Sequence, residues 1–264
     1  MKMPALFIGH GSPINIIEDN SYTRSLIELG KNLPKPEAIL VVSAHWQTKG
    51  TYITCSLAPE TIYDFYGFPD ELYEITYNSP GAPEKAALVQ ETTSQGIRGD
   101  YDRGIDHAAW AVLKHMYPNA DIPVMEMSLD VMKLPRDHYE LGRKLVSLRN
   151  QGILIIGSGN IVHNLSRINF SHLYGDSYSW AVEFDKQIAD ALVNRDHSKL
   201  IDYDKLPYAT AAVPTNEHYL PMLYAAALQE EQDLLHFTCT DMQNGSISMR
   251  SFVIDDQNRI SAYK

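Results

Sequence analysis

The sequence predicts an α/β protein: a single domain with a mixed central sheet flanked by helices and a metal site at the carboxyl ends of its strands. Two observations carry the fold. Short aliphatic runs recur along the chain, and most are separated by stretches with helical periodicity. A third observation carries the site, because polar segments containing histidine follow directly on three of those runs.

In chain order, the first run, at 5–8, stops at Gly9-His10-Gly11-Ser12-Pro13. The two glycines permit a tight turn, and Ser12-Pro13 ends the strand without continuing its ladder. Residues 22–29 read as a helix. The second run, at 38–43, leads into Ser43-Ala44-His45-Trp46. The aromatic-rich segment 63–69 has two readings, a wall for a flat apolar substrate or simple loop packing. Residues 83–93 open with Pro and Glu, as a first helical turn does. His107 precedes a helix through Leu113 and Met116, with Asp106 beside it as a cap or as a residue fixing backbone or tautomer.

The third strand is placed at 123–128, and a helix at 135–149 repeats Leu141, Leu145 and Leu148 before Gly152. The run at 153–156 continues as Gly157-Ser158-Gly159-Asn160-Ile161-Val162-His163-Asn164. Thr215-Asn216-Glu217-His218 reads as a helix start, with Thr215 as cap and Leu220, Leu223 and Ala227 as the buried stripe. Residues 246–254 alternate like a half-buried strand, which predicts antiparallel pairing near the C-terminus.

Composition excludes several classes. The chain has 264 residues, 44% of them apolar, and neither linker nor repeat divides it, so residues 1–264 are expected to form one domain. With 33 acidic against 22 basic side chains the net charge is −11, which repels a phosphate backbone, and no nucleic-acid partner is expected. Cys55 and Cys239 form neither a disulfide framework nor a thiolate zinc motif, which suits a reducing compartment. The apolar stretch 4–8 is too short for a signal core and no run approaches bilayer length, so the expected location is cytoplasmic, with no membrane partner. No G-x-S-x-G serine elbow occurs, and the glycines at 157–159 lack both the G-x-G-x-x-G spacing and a P-loop lysine.

His10, His45 and His163 therefore stand at strand ends and His218 at a helix start, whereas His115, His138, His172, His197 and His236 have no comparable setting. Imidazole without thiolate suits iron, zinc, copper or nickel; a neighbouring carboxylate with open positions favours non-haem Fe(II). Ligand type alone does not choose.

Taken together, Gly-His-Gly-Ser-Pro, Ser-Ala-His-Trp, Asp-His-x-x-Trp, Ser-Gly-Asn-x-Val-His-Asn-Leu and Glu-His-Tyr-Leu-Pro closely resemble the bacterial and plant DOPA 4,5-dioxygenase family. That family belongs to the class III extradiol ring-cleavage dioxygenases related to the catalytic subunit of protocatechuate 4,5-dioxygenase, and the likeness runs from residue 3 to about residue 250. It implies one non-haem divalent metal, Fe(II) for oxygen chemistry with Zn(II) as an alternative ion, held by His10, His45 and His218. His163 either joins the metal or stands beside it as acid and base. The related protocatechuate enzyme uses a glutamate as third ligand, so Glu217 competes with His218 for that place. Ala108 stands where the family usually has glycine after the histidine of its Asp-His motif. The expected substrate contacts are His107, Ser12 and Asn160, and His107 is also expected to take part in catalysis. The implied reaction opens a catechol such as DOPA with O₂ to a semialdehyde. Two other readings are a zinc-dependent hydrolase acting on a small aromatic substrate and a non-catalytic binding protein of the same fold; dependence on O₂ and metal content separate the three. No residue selects among DOPA, caffeate and protocatechuate or sets the oligomeric state.

Overall fold

The computed structural model describes residues 1–94, 96–170 and 173–263. Among these, the strands are β1 Ala5–Gly9, β2 Ala38–Thr48, β3 Thr51–Thr54, β4 Ile97–Asp100, β5 Val124–Asp130, β6 Ile153–Gly159, β7 Asp233–Cys239, β8 Met242–Gln243, β9 Ile247–Ser248 and β10 Ser251–Asp256. The helices are α1 Ser21–Asn32, α2 Pro83–Thr92, α3 His107–Met116, α4 Pro135–Lys144, α5 Ser179–Val193, α6 His197–Ile201, α7 Ala209–Ala212 and α8 Leu220–Ala227. Eight strands form one mixed sheet in the order β4-β3-β5-β2-β6-β1-β10-β7, and β8 pairs with β9 apart from it. Its centre, β5-β2-β6-β1, is parallel, whereas β10 and β7 pair antiparallel at the C-terminal side.

The aliphatic runs are continuous because both faces of the central strands are buried. Phe7, Leu40, Val42 and Ile155 enter one apolar layer with α2, α4, α5 and α8; Leu6, Ile8, Ile39, Val41 and Ile156 enter the other with α1 and α3. Helix α1 starts where Asn20 and Thr23 cap each other reciprocally. Helix α3 starts at Asp106, whose carboxylate accepts the Ala108 N–H.

Three expectations are corrected. The helix placed at 135–149 is α-helical only to Lys144; the Leu145 N–H turns to Gly142 O and a 3₁₀ segment, Val146–Gln151, carries the rest to Gly152 at φ 72°. The segment 246–254 is not half exposed. Its polar positions Ser246, Ser248 and Ser251 are buried, their hydroxyls donating to Asn164 O, Asp185 Oδ1 and Met249 O, so alternation here marks internal hydrogen bonding rather than a solvent face. Thr215 does not cap α8. Its hydroxyl donates to Glu217 Oε1, and the helix begins at Leu220 with Pro221 in its first turn.

Two features of this framework position the site. Between Val42 and Gln47 strand β2 advances five residues while its partner β5 advances only from Met127 to Leu129, and this bulge contains Ser43, Ala44, His45 and Trp46. A bulge turns side chains out of the regular alternation, which is how His45 leaves the sheet face. Gly159 at the end of β6 allows the 218 segment to lie directly against the strand, because a Cβ there would sit 2.0 Å from His218 O. Gly159→Ala is therefore expected to displace His218 and destabilise the fold by about 2 kcal/mol or more, read as a lower midpoint in urea together with loss of bound metal.

His138, one of the histidines without a strand-end setting, lies wholly buried on α4 with Nδ1 3.0 Å from the Tyr224 hydroxyl. Burial pushes its pKa down to about 4. Below about pH 6.5 the unfolded chain takes up a proton there that the native chain refuses, so stability falls as pH drops from about 6.5 to 4, by about 3 kcal/mol. Urea titrations across that range should show a shallower pH slope for His138→Gln than for the unsubstituted chain. His172 lies outside the described residues.

Candidate metal centre

Three imidazoles from remote parts of the chain meet at the carboxyl ends of the central strands. His10 follows β1 directly, its N–H donating to Gly159 O. His45 projects from the β2 bulge, and His218 lies in the turn before α8. The Nε2 atoms of His45 and His10 are 3.3 Å apart, and those of His218 and His45 are 3.2 Å apart. All three rings are tilted or edge-on to one another, with centroids 5.0–5.3 Å apart.

The hydrogen bonds on the far side of each ring decide what those nitrogens present. His45 Nδ1 lies 2.9 Å from Asp64 Oδ2, and His218 Nδ1 lies 3.0 Å from Glu217 Oε1. His10 Nδ1 lies 3.0 Å from Ser158 Oγ, whose own proton goes to Ala108 O at 2.6 Å. The serine oxygen can therefore only accept. Each neutral imidazole has one N–H, and each spends it on an acceptor at Nδ1, so three unprotonated Nε2 atoms face one point. Lone pairs at 3.2–3.3 Å repel unless a cation, or a proton kept on His45 Nε2, lies between them. Nitrogens about 2.1 Å from a shared tetrahedral ion would stand about 3.4 Å apart, close to the spacing seen. The residues fit one divalent ion.

Electrostatics agree with that reading for His10 and His218, and give His45 a firmer hold on a second proton. Burial, followed by the neighbouring imidazoles, pushes His10 and His218 well below the ordinary histidine range. Burial also works against the charged form of His45, but Asp64, Asp106 and Glu217 outweigh it and raise its pKa. Burial likewise opposes the Asp64 carboxylate, and the hydrogen bonds from His107 and His45 overcome it and hold the group ionised.

Of the other expected residues, His163 lies against the triad rather than within it. Its ring stacks on His218 at 3.5 Å and 10°, its backbone N–H donates to Ala212 O, and burial followed by His218 pushes its pKa far below the usual range. Glu217, the competing third ligand, faces Nδ1 of His218, the side away from His45. His107 is buried at the first turn of α3, its ring 4.2 Å from that of His45, with Nδ1 2.9 Å from Asp64 Oδ1. Burial and then His45 lower its pKa. Ser12 caps a short 3₁₀ turn and lines a small cavity shared with His10, His107 and His115. Asn160 is only 1% exposed; its amide donates to Ser248 O, and its side-chain oxygen is buried with no hydrogen-bond partner among the described residues.

Sequence reasoning missed the acceptors. Asp64 stood inside the aromatic segment, and Ser158 and Ser43 inside the strand-end motifs, with no signal of their own. Asp106 caps α3, accepts from the Ser43 hydroxyl, whose oxygen in turn accepts the His45 N–H, and shares Arg103 with the fully buried Glu126. Burial, then Asp106, pushes the Glu126 carboxyl far above the usual range. The aromatic segment mainly packs: Tyr63, Phe65, Tyr73 and Trp110 contact one another, and Phe65 sets its edge against His107 at 5.5 Å.

Fold and site together define a metal-dependent α/β enzyme. The profile of a family described as the catalytic LigB subunit of aromatic ring-opening dioxygenase matches residues 4–248. A 4,5-DOPA dioxygenase extradiol of Escherichia coli K12 is 44% identical over 260 residues, covering 96% of this chain and 95% of the relative. One of Beta vulgaris, named likewise, is 36% identical over 242 residues, covering 87% and 89%. The crystal structure of an uncharacterized E. coli K12 protein aligns with a TM-score of 0.84 at 40% identity, over 96% of this chain and all of that one. The chain belongs to this family, the class III extradiol ring-cleaving dioxygenases of the DOPA 4,5-dioxygenase type, which use a non-haem metal.

Since His45 carries the raised pKa, it must lose a proton before its Nε2 can bind an ion. Metal retention is expected to weaken as pH falls through that raised value, by up to about tenfold per pH unit below it. Metal analysis after dialysis across a pH series measures this, and undiminished retention at about pH 5 would contradict it.

Proposed function

We propose that the chain opens a catechol with O₂, beside rather than between its hydroxyl carbons, to a semialdehyde, and that DOPA is the first substrate to test because the relatives carry its name. The observation that carries this reading is the convergence of three bare Nε2 atoms beside two further neutral imidazoles, those of His107 and His163. His10, His45 and His218 would hold Fe(II), with Zn(II) as an alternative ion. When bound, Fe(II) supplies a template and an electron conduit between catechol and dioxygen.

The chain's own groups bind, orient and move protons. A catechol must lose a hydroxyl proton on binding, and an acid must later return one as the ring opens; a neutral imidazole can do both. We assign that exchange to His163, which has no side-chain partner holding its ring nitrogens among the hydrogen bonds described. His107 has its Nδ1 proton committed to Asp64, so its Nε2 accepts a hydrogen bond from substrate when neutral and donates one only after taking up a proton. Ser12, next to His10 and His107, would offer its hydroxyl to the substrate. Asn160, its amide given to Ser248 O, acts by bracing the segment that carries His218, whose carbonyl accepts the Asn160 N–H. A cytoplasmic location belongs to the same reading, supported by two free, buried cysteines; among the described residues no helix is long and apolar enough to cross a membrane.

An oxygen electrode with a panel of catechols on anaerobically iron-loaded protein tests the activity, and the product mass separates extradiol from intradiol opening. His163→Ala should slow single-turnover ring opening by roughly 10²-fold or more with metal content unchanged. An unaltered rate would remove His163 from proton transfer. His10→Ala or His218→Ala should abolish stoichiometric metal retention, while Glu217→Gln should keep the ion with an affinity lower by about tenfold or more.

A further inference from the structure

We propose that Asp64 is a positioning residue that holds His45 and His107 through separate oxygens, so that one carboxylate sets both a metal ligand and the imidazole facing the substrate. The proposal rests on the reading of His45 as a ligand. Asp64 Oδ2 takes the His45 Nδ1 proton at 2.9 Å, and Oδ1 takes both the His107 Nδ1 proton and the His107 backbone N–H, each at 2.9 Å. With each ring's only proton thus placed at Nδ1, both Nε2 atoms are left bare. The two rings lie 4.2 Å apart and nearly perpendicular, which the shared carboxylate explains.

The carboxylate is itself held from behind. Trp110 Nε1 donates to Ile62 O at 2.8 Å and the Tyr63 hydroxyl donates to Ile75 O at 2.9 Å, while the Ile62 N–H bonds to Ile105 O. Phe65 is packed among Tyr63, Phe68, Tyr73 and Trp110. The residues on either side of Asp64 are therefore anchored, and the aromatic segment serves as its foundation.

Replacing the carboxylate by an amide has a directional consequence. In Asp64→Asn the single oxygen remains where two donors of His107 converge, and the NH₂ group falls opposite His45. A donor there cannot face Nδ1–H, so the His45 proton moves to Nε2, the nitrogen that must bind the ion. Zinc affinity, measured by competition with a chromogenic chelator, should fall about 10- to 100-fold. Nitrogen-15 ring spectra of the metal-free variant should show His45 as the Nε2–H tautomer and His107 unchanged. Asp64→Glu, which keeps two acceptors, should restore His45 to Nδ1–H and recover part of the affinity. Unchanged zinc affinity and ring tautomers in Asp64→Asn would overturn the proposal. If that variant does not fold, the unsubstituted zinc-loaded protein decides: an Nδ1–H on both His45 and His107 supports it, and an Nε2–H on His107 or a deprotonated Nδ1 on His45 overturns it. Full zinc retention by His45→Ala is a separate result, which would sink the ligand reading instead.

Discussion

Three imidazoles each have one proton to place, and the chemistry open to this protein depends on all three being placed away from their common centre. Ser158, Asp64 and Glu217 are the acceptors that ensure it. Ser158 does so as a neutral hydroxyl made into an obligate acceptor by Ala108 O, while Asp64 and Glu217 do so as carboxylates. The mixture matters electrostatically, since two anions next to three imidazoles favour a cation without filling its coordination positions. Open positions are what an enzyme of this family needs for its two substrates.

The sheet converts this local requirement into geometry. His10 needs no special device, because it simply follows β1. His45 needs the bulge in β2, and the Asp106–Ser43 contact supports that bulge by holding the hydroxyl that accepts the His45 N–H. His218 needs the absence of a side chain at Gly159. Behind them lie two wholly buried carboxyl groups, Asp106 and Glu126, with one guanidinium between them. Two buried carboxylates against a single cation would leave charge uncompensated, and burial followed by Asp106 raises the Glu126 pKa in the direction that relieves this. Arg103 in turn lies over the Trp46 ring, 4.5 Å from its centroid, so the same ion cluster steadies the far end of the bulge.

Asp64 joins the two halves of the site. His45 arrives from the sheet and His107 from the start of α3, and their rings come within 4.2 Å only beside a carboxylate delivered by a third, irregular segment. Aromatic packing beneath that segment replaces the regular hydrogen bonding that a strand or helix would have provided. An irregular loop held in this way can supply as exact a contact as a sheet, provided its neighbours are anchored.

By itself, the sequence determined the class of fold and singled out the histidines that the structure brings together. Runs such as 38–43 and 153–156 are buried on both faces and so had to be continuous, and His10, His45, His107, His163 and His218 stood in motifs that a whole-chain likeness could align. It also placed a helix after His107 and offered Asp106 as its cap, one of two readings, and the structure selects the cap. Tertiary structure alone decided which nitrogens face the centre, that Glu217 lies behind His218, and that Asp64, 19 residues beyond His45 in number, touches it. It also decided that the serines of 246–251 bond inward rather than to water. The physical reason is common to all of these. Periodicity and capping act within a few residues along the chain, whereas the tautomer of an imidazole is chosen by whichever acceptor the folded backbone brings to its far side.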